Sequence, residues 1–277
     1  MILLAAVVQI AREAGREILA HYEKAQIEVR SKADFSPVTA ADLAADEIIR
    51  AGLEKALPGS AYVSEEAIDN ILSVDQAVSL LQTAGACWLV DPLDGTREFL
   101  SGTDDFTVNI ALIEEGKLRL GVMFAPARGL MYCAEKGKGS FKVGDDRSLE
   151  RLSGRPPNIR RMRALVSRQH TQGEEQLLRS RIDGIVVEQC GSALKYGYLA
   201  EGIADFSLRR SPTSVWDTAA AQCILEEAGG AIWAMNGHGL SPSHGTLKNP
   251  PFLAVANVGM PESLKRDLLA SLTTANR

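Results

Sequence analysis

One stretch constrains the chain more than any other: the apolar run Cys87-Trp88-Leu89-Val90, followed at once by Asp91-Pro92-Leu93-Asp94-Gly95-Thr96. The run has the length and composition of a buried β-strand. Its end delivers two carboxylates three residues apart, on either side of a turn set by Pro92. Gly95 and Thr96 then present backbone N–H groups at the start of the next segment. Carboxylates at a strand end bind hard cations, and a glycine-containing turn entering a helix binds phosphate oxygens. Asp-Pro and Asp-Gly are also ordinary turn dipeptides, so the stretch by itself leaves a plain turn open.

Helical periodicity over residues 1–25 predicts a first helix. A polar stretch from Arg30 to Pro37 leads to a second, which starts at the capping-box-like Thr39-Ala40-Ala41-Asp42 and stops at Pro58-Gly59. Short strands are expected at Ala61–Ser64, Thr107–Ile113 and Leu118–Phe124, with Glu114-Glu115-Gly116-Lys117 as a hairpin turn between the last two. Further strands are expected at Ala164–Ser167, Ile185–Val187 and Ala204–Leu208. Helical segments are expected at Ser192–Glu201 and Trp216–Ala228, the latter stopped by Gly229-Gly230. Strands and helices mixed in both halves imply a layered α/β (α+β) architecture.

At 277 residues the chain is long enough for nearly two domains of about 150 residues each. Between Arg147 and Arg181 nine arginines stand against three glutamates, and Gly154-Arg155-Pro156-Pro157 lies inside this stretch. It is the expected boundary between residues 1–153 and 154–277, and the arginine-rich stretch reads as a solvated linker. With 45% hydrophobic and 23% charged residues, disorder and coiled coil are excluded as global descriptions. A net charge of −5 argues against non-specific nucleic-acid binding. The N-terminal apolar residues lack a basic flank and run straight into a helical pattern, and no apolar run is long enough for a membrane span. Four cysteines without a CxxC pair suit buried thiols in a reducing compartment. The expectation is a cytoplasmic monomer or homodimer, with peripheral attachment at the cytoplasmic face of the inner membrane left open.

Two other acidic positions are unremarkable alone. Ser64-Glu65-Glu66 follows a short strand, and the acid of Val215-Trp216-Asp217-Thr218-Ala219-Ala220 sits at a helix N-terminus, where the helix dipole accounts for it. Asp42 is accounted for by capping. Taken together, Glu65, Asp91, Asp94 and Asp217 are the ligand types of a two-Mg²⁺ site that clamps the attacking and leaving oxygens of a displacement. Four converging carboxylates repel unless cations neutralise them. The histidines form no HExxH pattern, and there is neither a Walker A lysine loop nor a CxxxxxR loop. A water activated by the cations is the most economical nucleophile.

At these residues the chain resembles the inositol monophosphatase superfamily of Mg²⁺-dependent, Li⁺-sensitive phosphatases. Asp91-Pro92-Leu93-Asp94-Gly95-Thr96 matches its DPxDGT motif and Trp216-Asp217-Thr218-Ala219-Ala220 its WDxAA motif. Ser64-Glu65-Glu66 and Val38-Thr39-Ala40-Ala41-Asp42 match the two upstream signatures in order. Within the superfamily the chain is most similar to the CysQ-type 3'(2'),5'-bisphosphate nucleotidases. That similarity rests on Lys32–Thr39, Phe106–Ile113, Gly191-Ser192-Ala193-Leu194-Lys195-Tyr196 and Asn249-Pro250, although Ala193 replaces the second serine of the usual Gly-Ser-Ser-x-Lys.

The resemblance implies the sugar-phosphatase fold, an αβαβα sandwich. It also implies hydrolysis of adenosine 3',5'-bisphosphate (PAP) to AMP and phosphate, together with action on PAPS, in support of sulfate assimilation. It assigns Glu65, Asp91, the Leu93 carbonyl, Asp94 and Asp217 to two or three Mg²⁺, and Gly95 and Thr96 to the phosphate-binding turn. Water is oriented by Thr96 with either Glu65 or Asp42, a choice the residues leave open. Ser167, His170, Gly191 and Lys195 match positions that contact the nucleotide, and Arg209-Arg210 are expected to border the cleft. A lysine at 195 supplies a point charge for a second phosphate, which a monophosphate sugar does not need. The rival readings are an inositol-1-monophosphatase or broad sugar phosphatase on the same scaffold, a nucleotide-binding regulator without catalysis, and a metal-dependent glycosyl or nucleotidyl transferase. The regulator reading conflicts with an intact set of carboxylates and Thr96; the transferase leaves Glu65 and Asp217 unexplained.

Overall fold

The structure, a computed structural model, describes residues 2–23, 29–31, 37–68, 70–168 and 171–272. Helix α1 (Ile2–Tyr22) buries Leu4, Val7, Ile10, Ala11, Ala14 and Ile18, the three-and-four spacing of one helical face. A short antiparallel pair, β1 (Val29–Ser31) and β2 (Pro37–Thr39), leads into α2 (Ala40–Ala56). The capping box expected at Thr39 and Asp42 starts α2. Then follow β3 (Ala61–Ser64), α3 (Val74–Thr83), β4 (Ala86–Asp94), α4 (Thr96–Leu100) and β5 (Thr107–Glu114). The first half ends with β6 (Lys117–Ala125), β7 (Leu130–Glu135), β8 (Gly139–Val143) and β9 (Leu149–Arg151). Strands β3 to β9 form one sheet in chain order. Only the β3–β4 pair is parallel; the rest is an antiparallel meander. The β5–β6 turn falls where expected, with Glu115 and Gly116 both at positive φ, the conformation a two-residue hairpin demands.

The second half runs β10 (Arg163–Val166), α5 (Thr171–Arg181), β11 (Val186–Gln189), α6 (Leu194–Ala200), β12 (Phe206–Arg209) and β13 (Thr213–Ser214). It continues with α7 (Val215–Glu227), β14 (Ala231–Ala234), β15 (Lys248–Asn249), β16 (Phe252–Val255) and α8 (Glu262–Ser271). A five-stranded sheet forms in the order β11-β10-β12-β16-β14.

The layers alternate as αβαβα. Helices α1 and α2 cover one face of the seven-stranded sheet through a core that includes Ile10, Ile49, Trp88, Ile110 and Val122. Helices α6 and α7 lie between the two sheets, and α5 and α8 close the far face of the five-stranded one. The middle position of α7 follows from its sequence. Val215, Trp216 and the run from Thr218 to Leu225 are all buried, so it has no solvent stripe to present. Even its Gln222 is inside, where the amide donates to the Leu240 carbonyl.

Three expectations need correction. The arginine-rich stretch is not a linker: besides the expected strand at β10, both β9 and α5 fall inside it, and Arg168 and Arg179 hold carboxylates. Helix α3 was not expected, because its short apolar face of Ala77 and Leu81 gives little periodicity; the Ser73–Gln76 capping box was its legible signal. Strand β4 does not stop before the aspartates but runs through Asp94.

Strand β6 meets α7 at Gly121, where a Cβ would stand 2.5 Å from the Ala220 carbonyl oxygen and 3.0 Å from Cys223 Cβ. Gly121→Ala is therefore expected to push these layers apart and cost about 1–3 kcal/mol of stability. Urea unfolding checks this: the midpoint should fall while the slope stays constant.

Candidate active site

Asp91 and Asp94 are three residues apart, and a regular strand would turn them to opposite faces. The β4–β5 register shifts between them: Asp91 pairs with Asn109, but Asp94 pairs with Thr107. Pro92 has no N–H to give the ladder, so the irregularity falls there at little cost. The shift brings both carboxylates to one side. They meet Asp217 from the first turn of α7, and one oxygen of each lies within 4.8 Å of the others. The buried Asp91 also accepts the Leu93 N–H at 3.1 Å.

Asp217 has two tasks. It caps α7 by accepting the Ser214 N–H at 2.8 Å, and it faces Asp94 and Glu65. Burial, then repulsion from Asp94 and Glu65, pushes its carboxyl well above the usual carboxylate range. Glu65 follows β3, whose last residue Ser64 pairs with Val90, so the parallel pairing sets Glu65 beside Asp91. It stands outside the close triangle of oxygens yet near enough to act on Asp217. A set of oxygen donors that repel one another, with Asp91 buried and Glu65, Asp94 and Asp217 half-buried, fits hard divalent cations.

Gly95 adopts the left-handed conformation at φ 91° and ψ 38°, and a Cβ there would stand 3.0 Å from the Asp105 carbonyl oxygen. Both conformation and space require glycine. The next residue, Thr96, opens α4 and places its hydroxyl 3.4 Å from Asp42 Oδ1 and 3.3 Å from the Leu93 carbonyl oxygen. Asp42 Oδ2 is taken by the Thr39 N–H at 2.8 Å and the Thr39 hydroxyl at 2.6 Å. Capping therefore uses one Asp42 oxygen and leaves the other toward Thr96.

The second half reaches the same point. Ser192, left-handed at φ 54°, donates its hydroxyl to Asp94 Oδ2 at 2.6 Å, and the Ala193 N–H donates to the same oxygen at 2.5 Å. Thr107 Oγ1 lies 2.6 Å from Ser192 Oγ. The position where a serine was missed thus contributes through its backbone. The Gly191 N–H donates to Asp105 at 3.0 Å, and a Cβ on Gly191 would meet Glu98 Cγ at 2.8 Å. Asp105, missed by sequence reasoning, is 1% exposed and also binds Arg128 at 2.6 Å and Arg168 at 2.6 Å. Burial would raise its carboxyl, but the Gly191 N–H and the two guanidiniums outweigh this and hold it below the ordinary range.

Asp94 and Asp217 also line a cleft with Ser167, Lys195 and Arg209. Lys195 is buried, donates to the Ser192 carbonyl and stands 4.9 Å from the centre of the Tyr196 ring. Burial lowers its ammonium's proton affinity, and Arg209 adds to that, while Asp94 and Glu98 oppose it. Arg210, expected beside Arg209, does not line the cleft; its backbone N–H is held by Glu174. Glu98 is a cleft residue without an advance signal beyond its place one turn after Gly95, and burial raises its carboxyl. His170 and Lys32–Ser36 lie outside the described residues.

A five-layer αβαβα fold, with carboxylates converging at a sheet bulge and basic side chains across the cleft, has the parts that cation-assisted chemistry on a phosphate ester uses. The chain belongs to the inositol monophosphatase family, whose profile matches residues 2–275. The 3'(2'),5'-bisphosphate nucleotidase CysQ of Salmonella typhimurium is 39% identical over 254 residues, 90% of this chain and 98% of its own. Among solved structures, CysQ from Bacteroides thetaiotaomicron superposes with a TM-score of 0.74 at 30% identity, covering 93% of this chain and 97% of that one. The extragenic suppressor protein suhB from Bartonella henselae superposes with a TM-score of 0.75 at 29% identity, covering 98% of each chain. Among the described residues no helix is long and apolar enough to cross a membrane. The four cysteines are free and buried, and burial pushes each thiol up to about 12.

Asp217→Asn keeps an acceptor for the α7 cap and removes a carboxyl whose ionisation is opposed by burial and by Asp94 and Glu65. In EDTA at neutral pH this variant is expected to melt above the parent. The stabilisation expected from a divalent cation at these carboxylates, probed with Mg²⁺ and about 2.7 kcal/mol at a hundred times Kd, should fall by more than half. Thermal denaturation with and without the cation reads both effects, and a lower melting temperature in EDTA would contradict the repulsion.

Proposed function

We propose that this chain is a Mg²⁺-dependent 3'(2'),5'-bisphosphate nucleotidase that hydrolyses the 3'-phosphate of PAP to AMP and phosphate. PAPS is a second substrate, and the reaction serves sulfate assimilation in the cytoplasm. One observation carries the reading: the cleft that holds Asp94 and Asp217 also holds Lys195 and Arg209. Carboxylates with their cations answer one phosphate, and the two basic side chains answer a second. The name of the Salmonella typhimurium relative agrees.

In this reading Glu65, Asp91, the Leu93 carbonyl, Asp94 and Asp217 hold two or three Mg²⁺. Bound there, Mg²⁺ supplies Lewis acidity at the phosphoryl oxygens and lowers the pKa of water. Thr96 with Asp42 can orient the attacking water, because the Thr96 hydroxyl is within reach of Asp42 Oδ1, and Thr96 with Glu65 is the alternative pair. As Thr96 gives its proton to Asp42, its oxygen can take one from the water. Attack in line forms a new phosphorus–oxygen bond and breaks the bond to O3', whose oxygen leaves with a proton from solvent. The N–H groups of Gly95 and Thr96, at the start of α4 where no helical acceptor exists, meet the charge growing on the phosphoryl oxygens. Ser167, Gly191, Lys195 and His170 serve the nucleotide. The division at 153/154 then separates the part with most cation ligands from the part that brings Asp217 and the nucleotide contacts.

Phosphate release from PAP, inositol 1-phosphate and fructose 1,6-bisphosphate, in Mg²⁺ with and without Li⁺, tests this. A kcat/KM for PAP at least about a hundredfold above the others, or about 2.7 kcal/mol in the transition state, is expected, with inhibition by Li⁺. Lys195→Ala should raise KM for PAP more than for inositol 1-phosphate. A preference for inositol 1-phosphate would make the chain an inositol-1-monophosphatase or broad sugar phosphatase with the same cation site.

A further inference from the structure

A second cavity, of about 340 Å³, opens on the α1 side of the seven-stranded sheet. Its walls come from Leu4 and Val8 on α1, Cys133 on β7, Val143 on β8 and Leu149 on the edge strand β9. Helix α1 otherwise packs closely on this sheet, and interiors rarely leave space of this size unfilled. The volume falls within the range of small-molecule sites, and the lining is mainly apolar.

Two arginines, Arg12 and Arg147, also line it. Arg12 donates from Nη2 to the Gly144 carbonyl at 2.9 Å, while its Nε is buried with no hydrogen-bond partner. Arg147 belongs to the same tight turn, donating its N–H to the Gly144 carbonyl at 3.0 Å, with the Gly144 N–H donating back to the Ser148 carbonyl at 2.9 Å. It sits at φ 66°, a left-handed conformation that favours glycine or asparagine. A long cationic side chain is thus held on a turn that suits a small residue, at the same cavity as a second cation. The turn also carries two acids, Asp145 and Asp146, of which Asp146 accepts the Ser148 N–H at 2.9 Å; neither lines the cavity.

We propose that this cavity is a binding site, separate from the catalytic cleft, for a small amphiphilic carboxylate of the medium-chain fatty acid class. The chain lies between α1 and strands β7 to β9, and the carboxylate is met by Arg12 and Arg147. Charge complementarity selects the head group and the apolar walls select the tail. A phosphorylated sugar, polar throughout, does not fit such walls.

Titration calorimetry of the full chain with decanoate, below its micelle concentration, tests the site, with decylammonium as the counterpart of opposite charge. One decanoate per chain is expected, with decylammonium neither binding nor competing. Arg147→Gln should weaken decanoate by about fivefold, the loss of one partly exposed ionic contact, and leave PAP or inositol phosphate turnover unchanged. Ala5→Phe, placed at an exposed position on the cavity rim, should block binding while the melting temperature holds. Equal binding of decylammonium, decanoate binding that survives Ala5→Phe, no binding at all, or closure of the cavity by self-association would each overturn the proposal. None of these outcomes depends on the phosphatase substrate.

Discussion

The mutual repulsion of carboxylates at one point is the interaction on which the architecture turns. Asp91 and Asp94 arrive from the seven-stranded sheet, Asp217 from the helix between the sheets, and Glu65 from the segment after β3. Burying like charges together is costly without cations, and the raised proton affinity of Asp217 reports that cost. The protein meets it partly with hydrogen bonds. Asp94 takes two donors from Ser192 and Ala193, and Asp217 takes the N–H that begins its own helix. The remainder is left for divalent cations, which is what a catalytic cation site requires.

Holding these charges requires rigid layers on both sides. Helix α7 is the shared wall: it packs on the seven-stranded sheet through Ala219 and Ala220 and toward the five-stranded sheet through Ala221, Ile224 and Leu225. Small residues on α7 let Gly121 approach its backbone, and the position of Asp217 is thereby tied to β6. Asp105 performs a similar service across the cleft. One buried carboxylate joins Arg128 near the end of β6, Arg168 after β10 and Gly191 after β11. The segment that presents Ser192, Ala193 and Lys195 is thus anchored to the half that carries the aspartates.

Capping and chemistry share residues in this fold. Asp42 and Asp217 each occupy the third position of a capping box, a placement that needs no function to explain it. Yet each has a second oxygen or a neighbouring charge directed to the site. A cap fixes a side chain's rotamer through its own backbone, so the cap that stabilises the helix also orients the acid.

Local residue preferences were enough to read the first elements and the chemistry of the site: the Thr39–Asp42 cap, the Glu115-Gly116 turn, the apolar strand ahead of Asp91, and a set of acids suited to hard cations. These depend on periodicity, backbone preference and side-chain type, all of which are local. The same preferences under-read β9 and α5 in the arginine-rich stretch, and α3, where short elements with few apolar residues leave weak periodicity and burial comes from distant neighbours. Only the tertiary structure decided that Asp91 and Asp94 face the same way, because that depends on a register shift against Asn109 and Thr107 in another strand. It also decided the role of Asp105, whose partners lie 23, 63 and 86 residues away. Such contacts follow from how layers pack, and packing is a property of the whole chain.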